Sequence, residues 1–177
     1  MPQTVYLALG ARDGRPRLRM AEALQRLPGA AIPPSAVSSL WETEPVGLPE
    51  GAPVLNAAVA SVCGLDPRAL LAACLGLEEA AGRRRSPPEW RSLDVDVLLY
   101  GDLVLEEPGL SLPHPRFHRR RFNLAPLAEI APDLRHPVLG RTISDLLAGC
   151  TDPSWVRVAA RGAWWTAPEG PRLPPGA

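Results

Sequence analysis

The chain has 177 residues, 46% of them apolar, with 19 basic and 19 acidic side chains and a formal net charge of zero. Such a composition can bury one core, and it excludes an acidic disordered chain, a membrane-spanning protein and whole-surface attraction to nucleic acid or anionic lipid. The three cysteines, Cys63, Cys74 and Cys150, are far apart and show no C-x-x-C spacing, so they read as small core residues in a reducing compartment. Residues 5–9 are too short an apolar run for a secretory leader, and a cytoplasmic location is expected.

The first element predicted is a buried strand over residues 5–9, running into Gly10. Met20, Leu24 and Leu27 then recur at helical spacing until Pro28-Gly29 stops the pattern. Two strands follow, over 37–42 and 54–63, joined by a Pro- and Gly-rich connection that is long for a hairpin. Asp66-Pro67 is an N-cap followed by proline at the first helical position. Leu70, Cys74, Leu77 and Ala81 line one face of the helix they start, and Gly82 closes it. Residues 92–100 return to strand character before the Gly101-Asp102 turn, and two further helices are predicted over 122–130 and 142–147. This order implies an α+β fold of the ferredoxin-like kind, an antiparallel sheet with helices packed on one face. Residues 1–158 form the expected domain; 159–177 read as a C-terminal extension, disordered from about 168, where Pro, Gly and Ala dominate.

Within the strand of 92–100, two carboxylates alternate with apolar residues. A period of two puts Asp94 and Asp96 on one face and Leu93, Val95 and Val97 on the other, with the two aspartate Cα atoms about 6.5–7 Å apart. Such a pair suits two magnesium ions held against a polyphosphate. An edge strand displaying two solvated aspartates would carry the same pattern. Arginines flank the pair: Arg83, Arg84, Arg85 and Arg91 before it, and Arg116, Arg119, Arg120 and Arg121 after His114. Every basic residue is arginine, whose planar fork matches phosphate oxygens. His114 has two readings, a donor to phosphate or a turn former between prolines. No phosphate-binding loop of the G-x-x-x-x-G-K-[ST] type is present.

Leu93-Asp94-Val95-Asp96, Leu112-Pro113-His114-Pro115-Arg116, Arg120-Arg121-Phe122 and the run from Pro126 to Pro132, in this order and spacing, resemble 6-hydroxymethyl-7,8-dihydropterin pyrophosphokinase. Upstream, Thr43-Glu44-Pro45-Val46-Gly47 and Leu55-Asn56-Ala57-Ala58-Val59 resemble that family's pterin-side segments. The resemblance implies transfer of pyrophosphate from ATP to the pterin hydroxymethyl group, with AMP as the second product, in folate biosynthesis. It implies Asp94 and Asp96 as ligands of two Mg2+ ions, and Arg83 and Arg91 as loop arginines that contact the reacting phosphates. Arg85, His114 and Arg120 match further ATP contacts, and Thr43, Val46, Asn56, Trp90 and Phe122 match the pterin pocket. A monomer acting on ATP and the pterin, without nucleic acid or membrane, is expected.

The chain departs from the family pattern at Gly10-Ala11-Arg12, at Val54 where an aromatic is common, at Gly76, and at the directly adjacent Trp90 and Arg91. Two alternatives therefore stand beside the enzyme: a binding homologue with impaired catalysis, and an RNA-binding ferredoxin-like domain using residues 116–121. Against the second, the first and third strands lack exposed aromatics for base stacking.

Overall fold

The computed structural model describes residues 1–12, 14–45, 53–81 and 92–166. Strand β1 (Gln3–Ala11) buries Val5, Leu7, Leu9 and Ala11 completely and leaves Tyr6, Ala8 and Gly10 half-buried on its other side. Helix α1 (Pro16–Arg26) opens on a proline, whose missing N–H costs nothing there, and buries Met20, Ala21, Ala23 and Leu24. A 3-10 turn over Pro28–Ala30 ends it.

The strand expected over 37–42 is two strands, β2 (Pro34–Val37) and β3 (Leu40–Thr43). Ser38 and Ser39 break it, because their side chains compete with the backbone ladder. Ser38 Oγ accepts the Ala58 N–H at 2.9 Å and donates to the Ser39 carbonyl at 2.8 Å. Ser39 gives both its N–H and its hydroxyl to Glu129 Oε1. Strand β4 (Val54–Cys63) has the predicted bounds. Helix α2 (Pro67–Ala80) is capped as expected, Asp66 accepting the Ala69 N–H at 2.9 Å; Gly82 lies outside the described residues. Strand β5 (Asp94–Tyr100) is followed by a small hairpin that the sequence reading did not contain, β6 (Leu105–Glu107) and β7 (Leu110–Leu112). Gly109 turns it at φ 80°, a conformation glycine adopts without steric cost. A 3-10 turn (Phe117–Arg119), helix α3 (Arg121–Ile130), helix α4 (Ile143–Ala148) and strand β8 (Val156–Ala160) complete the order. Thr142 and Asp145 form a capping box at the start of α4.

All strand pairs are antiparallel. The main sheet runs β5-β1-β4-β3-β8, with β2 also paired to β4, which is the ferredoxin-like order extended by one strand. The expectation of helices on one face is corrected: they cover both. On the first face Val5, Leu7, Leu9, Val95 and Val97 pack with Met20, Leu24, Leu70, Cys74 and Leu77. On the second, Ala58, Leu98 and Leu99 pack with Phe117, Leu124, Leu127, Ile143 and Leu146. The nearly unbroken apolar run of β4 has this cause, since a strand buried on both faces loses its alternation. A register shift between Tyr6 and Leu7 skips Leu98, so that Leu98 and Leu99 both enter the second core.

Strand β8 pairs with β3, and Trp164, only 3% exposed, joins the first core. Its indole N–H donates to the Ser38 carbonyl at 2.9 Å, and Gln25 donates to the Trp165 carbonyl at 3.0 Å. Residues 159–166, read as the start of an extension, therefore pack with the domain. The tail from 167 lies outside the described residues. No helix among the described residues is long and apolar enough to cross a membrane.

Candidate active site

Asp94 and Asp96 lie on β5, the outermost strand of the sheet among the described residues, on the face opposite Val95 and Val97. Both are half-buried. The solvated-edge reading is thereby set aside: the two carboxylates line a cleft of about 660 Å³ together with Glu78, Leu75, Ser111 and His114. Helix α2 supplies one wall and the β6–β7 hairpin another. Residue pairing extends the site inward. Asp94 pairs with Gly10 and Gly10 with Asn56, while Asp96 pairs with Ala8 and Ala8 with Ala58. With strands about 4.8 Å apart, Asp94 and Asn56 flank Gly10 with Cα atoms about 10 Å from each other. Gly10, which has no side chain, thus separates an acid from an amide.

The turn at 112–115, with its cis Leu112-Pro113 bond, brings His114 to the cleft, and the His114 N–H donates to the Leu98 carbonyl at 2.9 Å. Burial lowers the His114 pKa; Asp96 pulls it back up, and Arg120 and Arg116 push it down again. The ring is therefore neutral at pH 7. Its Nδ1 accepts the Arg116 N–H at 3.3 Å, which leaves the proton on Nε2, where it can be donated to an anionic ligand.

Asn56 and Thr43 form a buried pair: Asn56 Nδ2 donates to Thr43 Oγ1 at 2.8 Å, and that hydroxyl faces the Val54 carbonyl at 3.4 Å. The amide is held by its nitrogen, so Oδ1 stays turned toward Gly10. Phe122 stands half-buried in the first turn of α3, with the Arg120 guanidinium 5.5 Å from its ring centre. The structure thus places Asp94, Asp96 and His114 in one cleft, sets Asn56 two strands and Thr43 three strands inward, and stations Arg120 and Phe122 at the start of α3. Val46, Arg83, Arg85, Trp90 and Arg91 lie outside the described residues.

The arginine run after His114 divides by role. Arg121 donates to the Asp152 side chain through its backbone N–H, and to the Asp152 and Cys150 carbonyls through its guanidinium, so it anchors residues 150–152. Arg119 donates to His118 at 3.1 Å. Two residues given no role of their own in the sequence reading also matter. Glu129 takes the Ser39 N–H and hydroxyl on one oxygen and the Trp41 indole on the other, clamping α3 to β3. Glu78 is buried against β5. Its position was legible: it lies four residues after Cys74 and seven after Leu71, on the apolar stripe of α2.

Among the described residues no group of three or more His, Cys, Asp and Glu is placed to enclose a metal ion. Two carboxylates on one face supply part of an oxygen shell and leave the rest to phosphate and water, the arrangement magnesium favours. The residues therefore fit that ion and not a structural metal cage.

Two acids and a histidine donor in one cleft at the edge of a ferredoxin-like sheet form a site suited to the phosphate chemistry of a small-molecule phosphotransferase. Residues 6–132 match the family model described as 7,8-dihydro-6-hydroxymethylpterin-pyrophosphokinase. The 2-amino-4-hydroxy-6-hydroxymethyldihydropteridine pyrophosphokinase of Pseudomonas aeruginosa is 40% identical over 155 residues, covering 85% of this chain and 93% of that protein. The protein of the same description from Bacillus subtilis is 41% identical over 134 residues, 73% and 79% of the two chains. The crystal structure of wild-type Plasmodium falciparum HPPK-DHPS with pteroate shares the fold at a TM-score of 0.69 and 16% identity; the match covers 84% of this chain and 44% of that one. The chain belongs to the 7,8-dihydro-6-hydroxymethylpterin-pyrophosphokinase family.

Proposed function

We propose that Asp94 and Asp96 form the metal-holding centre of a diphosphate transfer, with the nucleotide along the outer edge of β5 and the pterin over Gly10 and Asn56. The reaction is that of the family: this chain passes pyrophosphate from ATP to 6-hydroxymethyl-7,8-dihydropterin, a step of folate biosynthesis. The pterin hydroxymethyl oxygen attacks the β-phosphorus, the bond from that phosphorus to the α-phosphate oxygen breaks, and AMP leaves. Two magnesium ions, when bound, neutralise phosphate oxygens and draw the attacking and leaving groups into line.

The chain's own residues do the rest. Asp94 and Asp96 orient the polyphosphate through the ions, His114 donates from Nε2 to a phosphate oxygen, and Arg120 adds fixed positive charge. Arg83, Arg85 and Arg91, as the family resemblance implies, contact the phosphates. Asn56, held by Thr43, reads the pterin edge; Phe122 stacks on the ring, with Val46 and Trp90 completing the pocket. The enzyme works as a cytoplasmic monomer.

The observation that carries this reading is that both aspartates face one cleft with His114, across Gly10 from a pre-set Asn56. The RNA-binding alternative loses support, because Arg121 and Arg119 are engaged within the chain. The test is Asp96→Ala, assayed with ATP, Mg2+ and the reduced pterin. AMP formation should vanish while the circular dichroism and melting temperature stay those of the wild type. Turnover near the wild-type rate would overturn the metal-holding role.

A further inference from the structure

We propose that Glu78 is a positioning residue for the transfer reaction, fixing the segment 94–96 so that both aspartates point into the cleft; this rests on the functional reading above. Glu78 sits in the last turns of α2 and is 4% exposed. Its Oε1 accepts the Val95 N–H at 2.9 Å in a buried hydrogen bond. Val95 lies between the two aspartates, on a strand that among the described residues has a neighbour, β1, on one side only. The Glu78 carboxylate thus stands where the next strand of a wider sheet would supply a carbonyl.

Three effects oppose a carboxylate at this place. It is buried, it lies near the C-terminal, partially negative end of a helix, and it shares a cleft with Asp94 and Asp96. A leucine would extend the apolar stripe of Leu70, Cys74 and Leu77 without any of these costs. What the carboxylate provides and a leucine does not is an oxygen that accepts the Val95 N–H. That bond fixes the peptide between Asp94 and Val95, and with it the direction of the side chains on either side. Side chains of an edge strand are otherwise free to twist away, since half of its backbone groups have no ladder partner. Groups that orient ligands in this way change metal affinity or activity by about 10- to 100-fold when removed.

Three variants separate the hydrogen bond from the charge. Glu78→Gln keeps an acceptor and removes the charge, Glu78→Leu keeps the volume and removes the acceptor, and Glu78→Asp keeps the charge but is one methylene too short to reach Val95. Binding of Mn2+ with a nonhydrolysable ATP analogue is followed by electron paramagnetic resonance, beside kcat, the pterin KM and the melting temperature. Glu78→Asp and Glu78→Leu should weaken Mn2+ binding and lower kcat by about tenfold or more, with the pterin KM within about twofold. Glu78→Gln should restore both to within about threefold of wild type. Wild-type Mn2+ affinity in Glu78→Asp, or a Glu78→Gln as impaired as Glu78→Asp, would overturn the proposal. If Glu78→Leu does not fold, the Asp and Gln pair decides alone. Failure of the wild type to form AMP would instead sink the functional reading and leave the Mn2+ series to judge Glu78.

Discussion

Replacing Gly10 with alanine tests whether the pterin lies where the strand pairing puts it. Gly10 stands between Asp94 on β5 and Asn56 on β4, and a methyl group at residue 10 would meet Asn56 Oδ1 at 3.3 Å. That is a few tenths of an ångström tighter than an ordinary contact, so the amide must yield while its Nδ2 bond of 2.8 Å to Thr43 resists. The backbone itself accepts alanine, and a strand glycine costs roughly 0.5–1 kcal/mol relative to alanine, which offsets the crowding. The melting temperature should therefore move by no more than about 2–4 °C. If Asn56 reads the pterin edge, displacing it forfeits a hydrogen bond with a net contribution of about 0.5–1.5 kcal/mol. That corresponds to about a two- to tenfold rise in the pterin dissociation constant. Calorimetry with the pterin and a nonhydrolysable ATP analogue measures it, and nucleotide affinity should be unchanged. An unaltered pterin affinity would refute the placement, and an equal loss for nucleotide and pterin would show a general distortion of the sheet.

Trp164→Ala should lower the melting temperature by about 6–20 °C, because removing a buried tryptophan costs about 3–5 kcal/mol and each kcal/mol shifts a chain of this size by about 2–4 °C. The indole is 3% exposed and donates to Ser38, so a fall below about 3 °C would show that residues 161–166 do not belong to the folded unit. The second expectation is acid sensitivity. Burial lowers the pKa of His114, His118 and His136 below the ordinary 6.5; Arg119 lowers His118 further, and His118 does the same to His136. A depressed histidine pKa means that the unfolded chain binds the proton first. The stability held in the neutral rings is thus complete above pH 6.5 and is lost as pH falls from there through the lowered values. His136→Gln should flatten that decline in thermal melts between pH 7 and pH 5; an unchanged slope would place the sensitivity elsewhere.

The sheet was legible because its strands obey simple periods. Val5, Leu7 and Leu9 alternate inward, Asp66-Pro67 caps α2, and Thr142 caps α4, all as local chemistry requires. The aspartate pair was legible for the same reason, since a period of two fixes which side chains share a face. The second helical layer was harder to see. Its mark was Ala8 and Ala58 where a half-solvated strand would carry polar residues, and alanine is ambiguous between a floor and a core. Strand β8 and Trp164 were missed because a strand of five residues beside a Pro-rich tail has little periodicity of its own; pairing with β3 supplies what the local sequence lacks. Glu78 was not singled out, although the apolar stripe of α2 runs through it. The break at Ser38-Ser39 depends on Glu129, 90 residues away, and no local pattern encodes such a partner.

The second layer also holds the turn that brings His114 to the acid pair. In bulk water opposite charges 4 Å apart attract by about 1 kcal/mol. Phe117, wholly buried against Leu98, Leu99 and Leu127 of the second core, fixes the chain that carries His114 on one side and Arg120 on the other. Asp96 raises the His114 pKa while Arg120 lowers it, and the charge of Asp96 is felt even across the sheet, at Cys74, whose thiol burial pushes up to about 12 with Asp96 and Cys63 adding to the rise. Partial enclosure raises the effective interaction near a protein surface to about 4 kcal/mol at the same 4 Å. The core on this face therefore also holds His114 in the cleft of the two carboxylates, and under the proposed function loosening α3 should weaken metal and nucleotide binding before it unfolds the sheet.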